Sequence, residues 1–284
     1  MNRTKTFLHF AFALSVMFSM MVFVNGCKKD EATGPVEDLT VPNDVFPLID
    51  THRFDYTGYF TTQDTETPIA GTSAFYSTTW TLGSPVTPLS AVFGSTYAAI
   101  VSAANGGRTS ASLIRDSTLT APGGARKLTP IFAYYDSTNA DYYYMTNLGL
   151  FFRGSRIKLS TDTSKIRNDS LRFIKLASPK AGIGGEFTSF EGDFVSYSNP
   201  AALTTLNLKI TGKWESKTDV TVNGQPFSTY YLVISRTVKV GTAVVDAGVT
   251  AKLWLASGIG PVKMLLIGDA ENPGNYRELK TKNF

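Results

Sequence analysis

The sequence predicts a mostly β protein: a single antiparallel domain, its sheet curved into a half-barrel or barrel-like form, with one or two short helices, behind an N-terminal lipoprotein signal peptide. Three observations predict it. From about Val45 onward Tyr, Phe, Thr, Val and Ser are abundant, and short apolar runs alternate with Gly, Asn, Asp and Pro clusters. Several segments alternate with a period of two; Leu206, Leu208, Ile210, Gly212 and Trp214 share one face, with Asn207, Lys209, Thr211 and Lys213 on the other. Tyr230, Leu232, Ile234, Arg236 and Val238 repeat the pattern, and Val222-Asn223-Gly224-Gln225 between the two supplies the positive φ angles of a tight hairpin.

The elements follow in order. Met1 to Lys5 carries Arg3 and Lys5, and an apolar stretch from Phe7 to Val24 follows. At about eighteen residues that stretch borders on a membrane span. A basic start, an apolar middle and small residues before a cleavage point mark a removed export signal instead. Val24-Asn25-Gly26-Cys27 places the only cysteine where lipoprotein signal peptidase cuts, so residues 1–26 are read as leader and Cys27 as the lipidation site. An uncleaved anchor is the alternative. One acyl chain binds a membrane only marginally, whereas two or three hold it durably. Residues 27–44 are polar, rich in turn formers and free of periodicity, which is the composition of a flexible tether.

Residues 45–284 form the β-rich domain. Strands are predicted at Phe54–Phe60, Ala74–Leu82, Ile131–Tyr135, Tyr142–Met145, Leu148–Phe152 and Leu171–Leu176. They continue with the two alternating segments above, then Ala247–Leu255 and Val262–Ile267. Ser95 to Ala104 is ambiguous: Ser95 is placed to cap a short helix that Asn105-Gly106-Gly107 ends, yet Tyr97, Ala99 and Val101 alternate. No internal repeat and no shift of composition marks a second domain, and about 240 residues suffice for a sizeable core.

Charge and cysteine usage exclude several functions. Removing the leader takes away Arg3 and Lys5 and no acid, leaving 25 basic against 23 acidic side chains. That near-neutral balance gives a nucleic-acid partner no electrostatic support. With one cysteine there is no intramolecular disulfide, and once Cys27 is acylated there is no thiol. His52 is the only histidine beyond the leader, so Cys–His catalysis and a zinc site of His/Cys type are not expected, and no cofactor or metal is implied.

Remaining chemistry is sparse. A Ser–His–Asp triad would have to use His52, beside Asp50 and Arg53, and no Gly-x-Ser-x-Gly elbow accompanies it; His52 reads as a polar residue entering a strand. Glu186, Glu191 and Asp193 are candidate paired carboxylates, but alternation sets Glu191 and Asp193 opposite Phe190 and Phe194, as on the solvated face of a strand. Asp136, Asn139 and Asp141 offer oxygen donors without the spacing that wraps calcium, and serve as turn formers. Gly182-Ile183-Gly184-Gly185 and the glycines Gly258 and Gly260 lack the strand–loop–helix setting of a phosphate cradle and suit tight connections. The chain is therefore expected not to be an enzyme. Tyr142, Tyr143 and Tyr144, with Trp80, are the candidate ligand-binding residues, since outward rings stack on sugars or line an apolar groove; cross-strand pairing is the structural alternative.

Two resemblances extend these expectations. Cys27-Lys28-Lys29-Asp30-Glu31 resembles the signal that sends Bacteroidota lipoproteins to the outer face of the outer membrane, with Lys28, Lys29, Asp30 and Glu31 as sorting residues. A plain soluble linker is the alternative, in which case the module faces the periplasm. Phe46-Pro47-Leu48 with His52-Arg53-Phe54-Asp55-Tyr56, the hairpin Thr221–Phe227 leading to Tyr231, and Trp254-Leu255-Ala256-Ser257-Gly258-Ile259-Gly260-Pro261-Val262-Lys263 resemble segments of a group of uncharacterised secreted bacterial proteins. Such proteins are similar to the half-barrels of periplasmic lipoprotein carriers. The resemblance implies a membrane-tethered, non-enzymatic module that binds an apolar ligand or an envelope protein partner through a curved sheet. The alternative function is a surface glycan-binding or adhesion module that uses exposed tyrosines.

Overall fold

A computed structural model describes residues 38–62, 67–82, 112–122, 124–127, 131–136, 138–147, 171–196, 204–268 and 273–284; for some of these, Trp80 among them, it describes only the backbone. Cys27, Lys28–Glu31, Ser95–Ala104 and Leu148–Phe152 lie outside the described residues. Residues Leu39–Phe284 form one compact unit with its own core.

The strands are β1 (Arg53–Thr61), β2 (Pro68–Leu82), β3 (Ser112–Ala121), β4 (Gly124–Lys127), β5 (Ile131–Asp136), β6 (Asp141–Asn147) and β7 (Leu171–Ala177). They continue with β8 (Glu186–Ser196), β9 (Thr204–Val222), β10 (Gln225–Val240), β11 (Ala243–Ala256), β12 (Gly260–Leu266) and β13 (Gly274–Lys282). All belong to one antiparallel sheet in the order β7-β6-β5-β3-β2-β1-β13-β12-β11-β10-β9-β8, with β4 beside β3. Only the 3-10 turn Pro179–Ala181 is helical among the described residues, where one or two short helices are expected from sequence.

The end strands β7 and β8 are consecutive in sequence but share no backbone ladder, so the sheet stays open. They still approach one another. The Ser189 hydroxyl of β8 donates to the Lys175 carbonyl of β7 at 2.5 Å. Ile174 of β7 belongs to the same cluster as Leu206, Leu208, Ile210 and Val238 of β9 and β10.

Side-chain alternation sets the core face. Phe54 and Tyr56 of β1, Tyr76 of β2, Leu279 of β13, Leu253 and Leu255 of β11, Leu232 of β10 and Trp214 of β9 lie on it, all buried. Bulges keep that face in register with the core. In β8 the ladder slips between Thr188 and Phe190, which turns both Phe187 and Phe190 toward the face holding Gly212 and Ile210. The hairpin between β9 and β10 turns at Asn223 (φ 49°) and Gly224 (φ 77°), the turn that the Asn-Gly pair predicts.

One end of the core face is covered by the chain itself. Val41, Val45 and Phe46 pack into the cluster of Trp214, Leu232 and Leu255, and Val45 is wholly buried. The segment is held on several sides: Ile183 N–H donates to the Leu39 carbonyl (2.7 Å), Gly258 N–H to the Asp44 carbonyl (3.2 Å), and the Ser257 hydroxyl to the Asp44 carboxylate (2.7 Å).

Candidate functional site

The register of the central strands places two neighbouring cross-strand rows on the core face. The first runs Ala74, Gly58, Arg277, Met264, Leu253, Leu232 and Trp214 from β2 to β9. The second runs Phe60, Asn275, Leu266, Ala251, Ile234 and Gly212 from β1 to β9. On β10 to β12 burial falls off between them. Leu232 and Trp214 of the first row show no exposure, whereas Phe60, Ala251 and Ile234 of the second are half-buried and Leu266 is 36% exposed. The covered part of this face, under Val41 to Phe46, thus gives way on β11 and β12 to apolar residues that still meet water, while on β9 and β10 the face is buried again at Ile210, Leu208 and Val238, the cluster against which Ile234 packs.

Arg277 stands at the boundary. It pairs with Gly58, where a Cβ would strike the backbone of β13 at the Tyr276 carbonyl, and its guanidinium lies over the Tyr76 ring at 3.8 Å. Arg277 Nε donates to the Asn275 side-chain oxygen at 2.5 Å, and the Asn275 amide nitrogen donates to the Tyr76 hydroxyl, so Asn275 bridges cation and ring. Tyr56 beside it donates to the Pro261 carbonyl at 3.0 Å. Arg277 is set deep among protein atoms, yet part of the residue remains in contact with solvent. Desolvation pulls its pKa below the ordinary arginine value, against the opposing pull of Tyr76 and Tyr56, and an arginine so placed stays charged. Among the described residues no carboxylate pairs with it. Asp246, on the same face, is taken by Arg236 at 2.8 Å.

The residues singled out from sequence are dispersed. Tyr142 is buried in the core, stacked obliquely on Phe46 at 5.6 Å, with its hydroxyl donating to the Asn43 carbonyl. Burial, ahead of any neighbouring charge, pushes its pKa well above the usual phenol range. Tyr143 points to the opposite face, stacks on Tyr134 at 5.1 Å and lies 5.9 Å under the Lys175 ammonium. Its pKa is raised to about 12, first by desolvation and then by Asp141. Tyr144 returns to the core side, packed against the cluster of Tyr56 and Tyr76. Alternation therefore splits the three tyrosines, and the planar exposed row that a glycan platform requires at Tyr142–Tyr144 is not formed. Trp80 lies on β2 opposite Arg115, its side chain outside the described set.

Other candidates resolve into structural roles. The His52 ring stacks on Phe284 at 3.7 Å, and burial followed by the Lys282 charge lowers its pKa. Asp136 accepts from Thr138 N–H (3.0 Å) and Asn139 Nδ2 (2.9 Å), closing the β5–β6 turn, while Asp141 pairs with Lys175 at 2.8 Å. Glu191 pairs with Lys209 at 3.3 Å and Asp193 accepts from Asn207 at 2.9 Å, both on the exposed side of β8 and β9. Gly258 (φ 69°) and Gly260 (φ 97°) sit in the tight turn joining β11 to β12. The site at Arg277, Asn275 and Leu266 was not among the sequence candidates, and no motif or spacing around Asn275-Tyr276-Arg277 marks it.

No family model and no curated protein matches the sequence. Among solved structures, a candidate lipoprotein of Parabacteroides distasonis is similar with a TM-score of 0.43 and 13% identity, over 87% of this chain and 100% of that one. A candidate exported protein of Bacteroides fragilis with a YmcC-like fold gives 0.41 and 8%, over the same shares. At these values the likeness assigns neither family nor function.

Proposed function

We propose that this chain is a non-enzymatic envelope lipoprotein, anchored by lipid on Cys27, that takes an apolar ligand on the half-exposed part of its core face at β11 and β12. The leader and Cys27 support the anchor, and Lys28 to Glu31 support delivery to the outer membrane and its outer leaflet. What carries the ligand reading is a single observation: the aliphatic row Leu266, Ala251 and Ile234, continuous with a buried row, is left in contact with water. Apolar surface held in water forgoes about 25 cal/mol per Å², which a ligand laid on it recovers. Concave apolar surface beside a few fixed polar groups is the usual form of a small-molecule site.

The test is a titration of the chain from Lys28 onward with the uncharged fluorophore N-phenylnaphthylamine. Saturable enhancement at one site is expected. Leu266→Glu, on the core face, abolishes it, while Val249→Glu, with a similar exposure of 38% but on the opposite face, leaves it intact. Non-saturable binding, or equal loss in the two variants, would rule the function out.

A further inference from the structure

Resting on the apolar-ligand function proposed above, we propose that the ligand is an anionic amphiphile whose carboxylate or phosphate head pairs with the Arg277 guanidinium and whose chain lies along Leu266, Ala251 and Ile234. The first ground is charge balance. A guanidinium deep in a fold is costly unless an anion meets it, and buried charges in proteins are ordinarily paired. Among the described residues the compensation is incomplete: Asn275 accepts from Nε, and Tyr76 offers its ring face and a hydroxyl. A guanidinium has five N–H donors in a planar fork that fits a carboxylate or a phosphate with two parallel bonds.

The second ground is that, among the described residues, the nearby acids are already engaged or face away. Asp246 is bonded to Arg236, and Glu278, the next residue along β13, lies on the opposite face and accepts from the Tyr276 hydroxyl. The third is preorganisation. Gly58 and Ala74 pair with one another across β1 and β2, and Arg277 pairs with Gly58, so the row that holds Arg277 carries no bulky side chain on either strand. Tyr76 beneath one face of the cation and Asn275 on Nε then fix its plane.

The fourth ground is the join between charge and apolar surface. Met264 pairs with Arg277, and two residues further along β12 stands Leu266, the exposed member of the aliphatic row. From β13 to β10 the row crosses three strand spacings, roughly 14 Å, enough for the chain of a medium-length fatty acid. Arg277 at one end of such a row, with Arg236 beyond its other end already paired to Asp246, matches one anionic head on one apolar tail.

The test compares dodecanoate, dodecyl phosphate, dodecanol and inorganic phosphate as competitors of N-phenylnaphthylamine on the chain from Lys28 onward. Wild type is expected to bind the two anionic amphiphiles about tenfold or more tighter than the alcohol of equal length. Arg277→Gln is expected to bring that ratio close to one, and Arg277→Lys to keep part of the preference. Should Arg277→Gln fail to fold, Asn275→Ala, which releases Nε, is expected to narrow the ratio. Equal binding of acid and alcohol by wild type, with the fluorophore still bound, overturns the head-group site and leaves the apolar-ligand function standing. Failure of every ligand, fluorophore included, overturns both. Inorganic phosphate binding as tightly as dodecyl phosphate assigns the cation to a free anion and overturns the amphiphile.

Discussion

Gly212 shows how much of this sheet rests on single side chains being absent. A Cβ built on it would stand 2.2 Å from Cζ of Phe187, so the phenyl ring occupies the space a side chain would need. Phe187 reaches that space because the bulge at Ser189 turns it onto the core face. Adding one methyl group to a filled core forces side chains off their rotamers at a cost of about 1–3 kcal/mol. Gly212→Ala is therefore expected to lower unfolding stability by that amount in urea titrations. Combined with Phe187→Leu, which shortens the intruding side chain, the alanine should cost measurably less, since residues in contact do not add. Equal cost in both backgrounds would mean that the ring does not rest on Gly212. In the sequence Gly212 is legible as a member of an alternating strand, but its partner is not, because a glycine carries no record of what lies above it.

At the scale of elements, legibility tracks how apolar the core-facing side of a strand is. The segments around Leu208 and Leu232 stand out because, Arg236 excepted, the residues on one side are apolar or glycine. β13 does not, because its core-facing residues are Asn275, Arg277 and Leu279, and a strand with two polar residues turned inward has the pattern of a loop. β3 is obscured in the sequence by the consecutive polar residues Arg115, Asp116 and Ser117, which interrupt any apolar alternation. The proposed site was missed for the reason that makes it a candidate: a polar group at a core position breaks the alternation that reveals strands.

The β9–β10 hairpin is the opposite case, with its turn readable from two residues. Its first strand, of 19 residues, extends roughly 60 Å, and its tip returns to the body, where Asn223 Nδ2 donates to the Leu279 carbonyl at 2.6 Å and Val222 is buried. Asn223→Gly keeps the positive φ and removes only that bond, so it should cost about 1 kcal/mol. Asn223→Ala adds the strain of a left-handed backbone, about 1–2 kcal/mol more. Denaturant midpoints at unchanged slope are the measurement, and a neutral Asn223→Gly would show that the tip does not dock.

For the molecule as a whole, the open sheet raises the question of what holds its two arms in place. Ser189 to Lys175 is one tie between the end strands. Residues 39–48 are a second, since they touch β6 through Phe46 and Tyr142, the turn before β8 through Leu39 and Ile183, and the β11–β12 turn through Asp44, Ser257 and Gly258. These contacts join strands from both arms of the sheet order. The segment carries two prolines and scattered apolar residues without periodicity, so nothing in its pattern announces that Val45 is fully buried. Physically it does at one end of the core face what the proposed amphiphile does at the other: it lays apolar groups on a surface that would otherwise face water. A chain beginning at Asp38 should therefore melt like one beginning at Lys28. A chain beginning at Ile49 loses the burial of Val41, Val45 and Phe46. Removing even one large core side chain costs about 2–5 kcal/mol, and each kcal/mol lowers the melting temperature of a domain this size by about 2–4 °C. The shorter chain, if it folds, should also bind additional N-phenylnaphthylamine, because the vacated end becomes a second apolar surface. An unchanged melting temperature with unchanged stoichiometry would show that the segment only rests on the sheet and does not hold it.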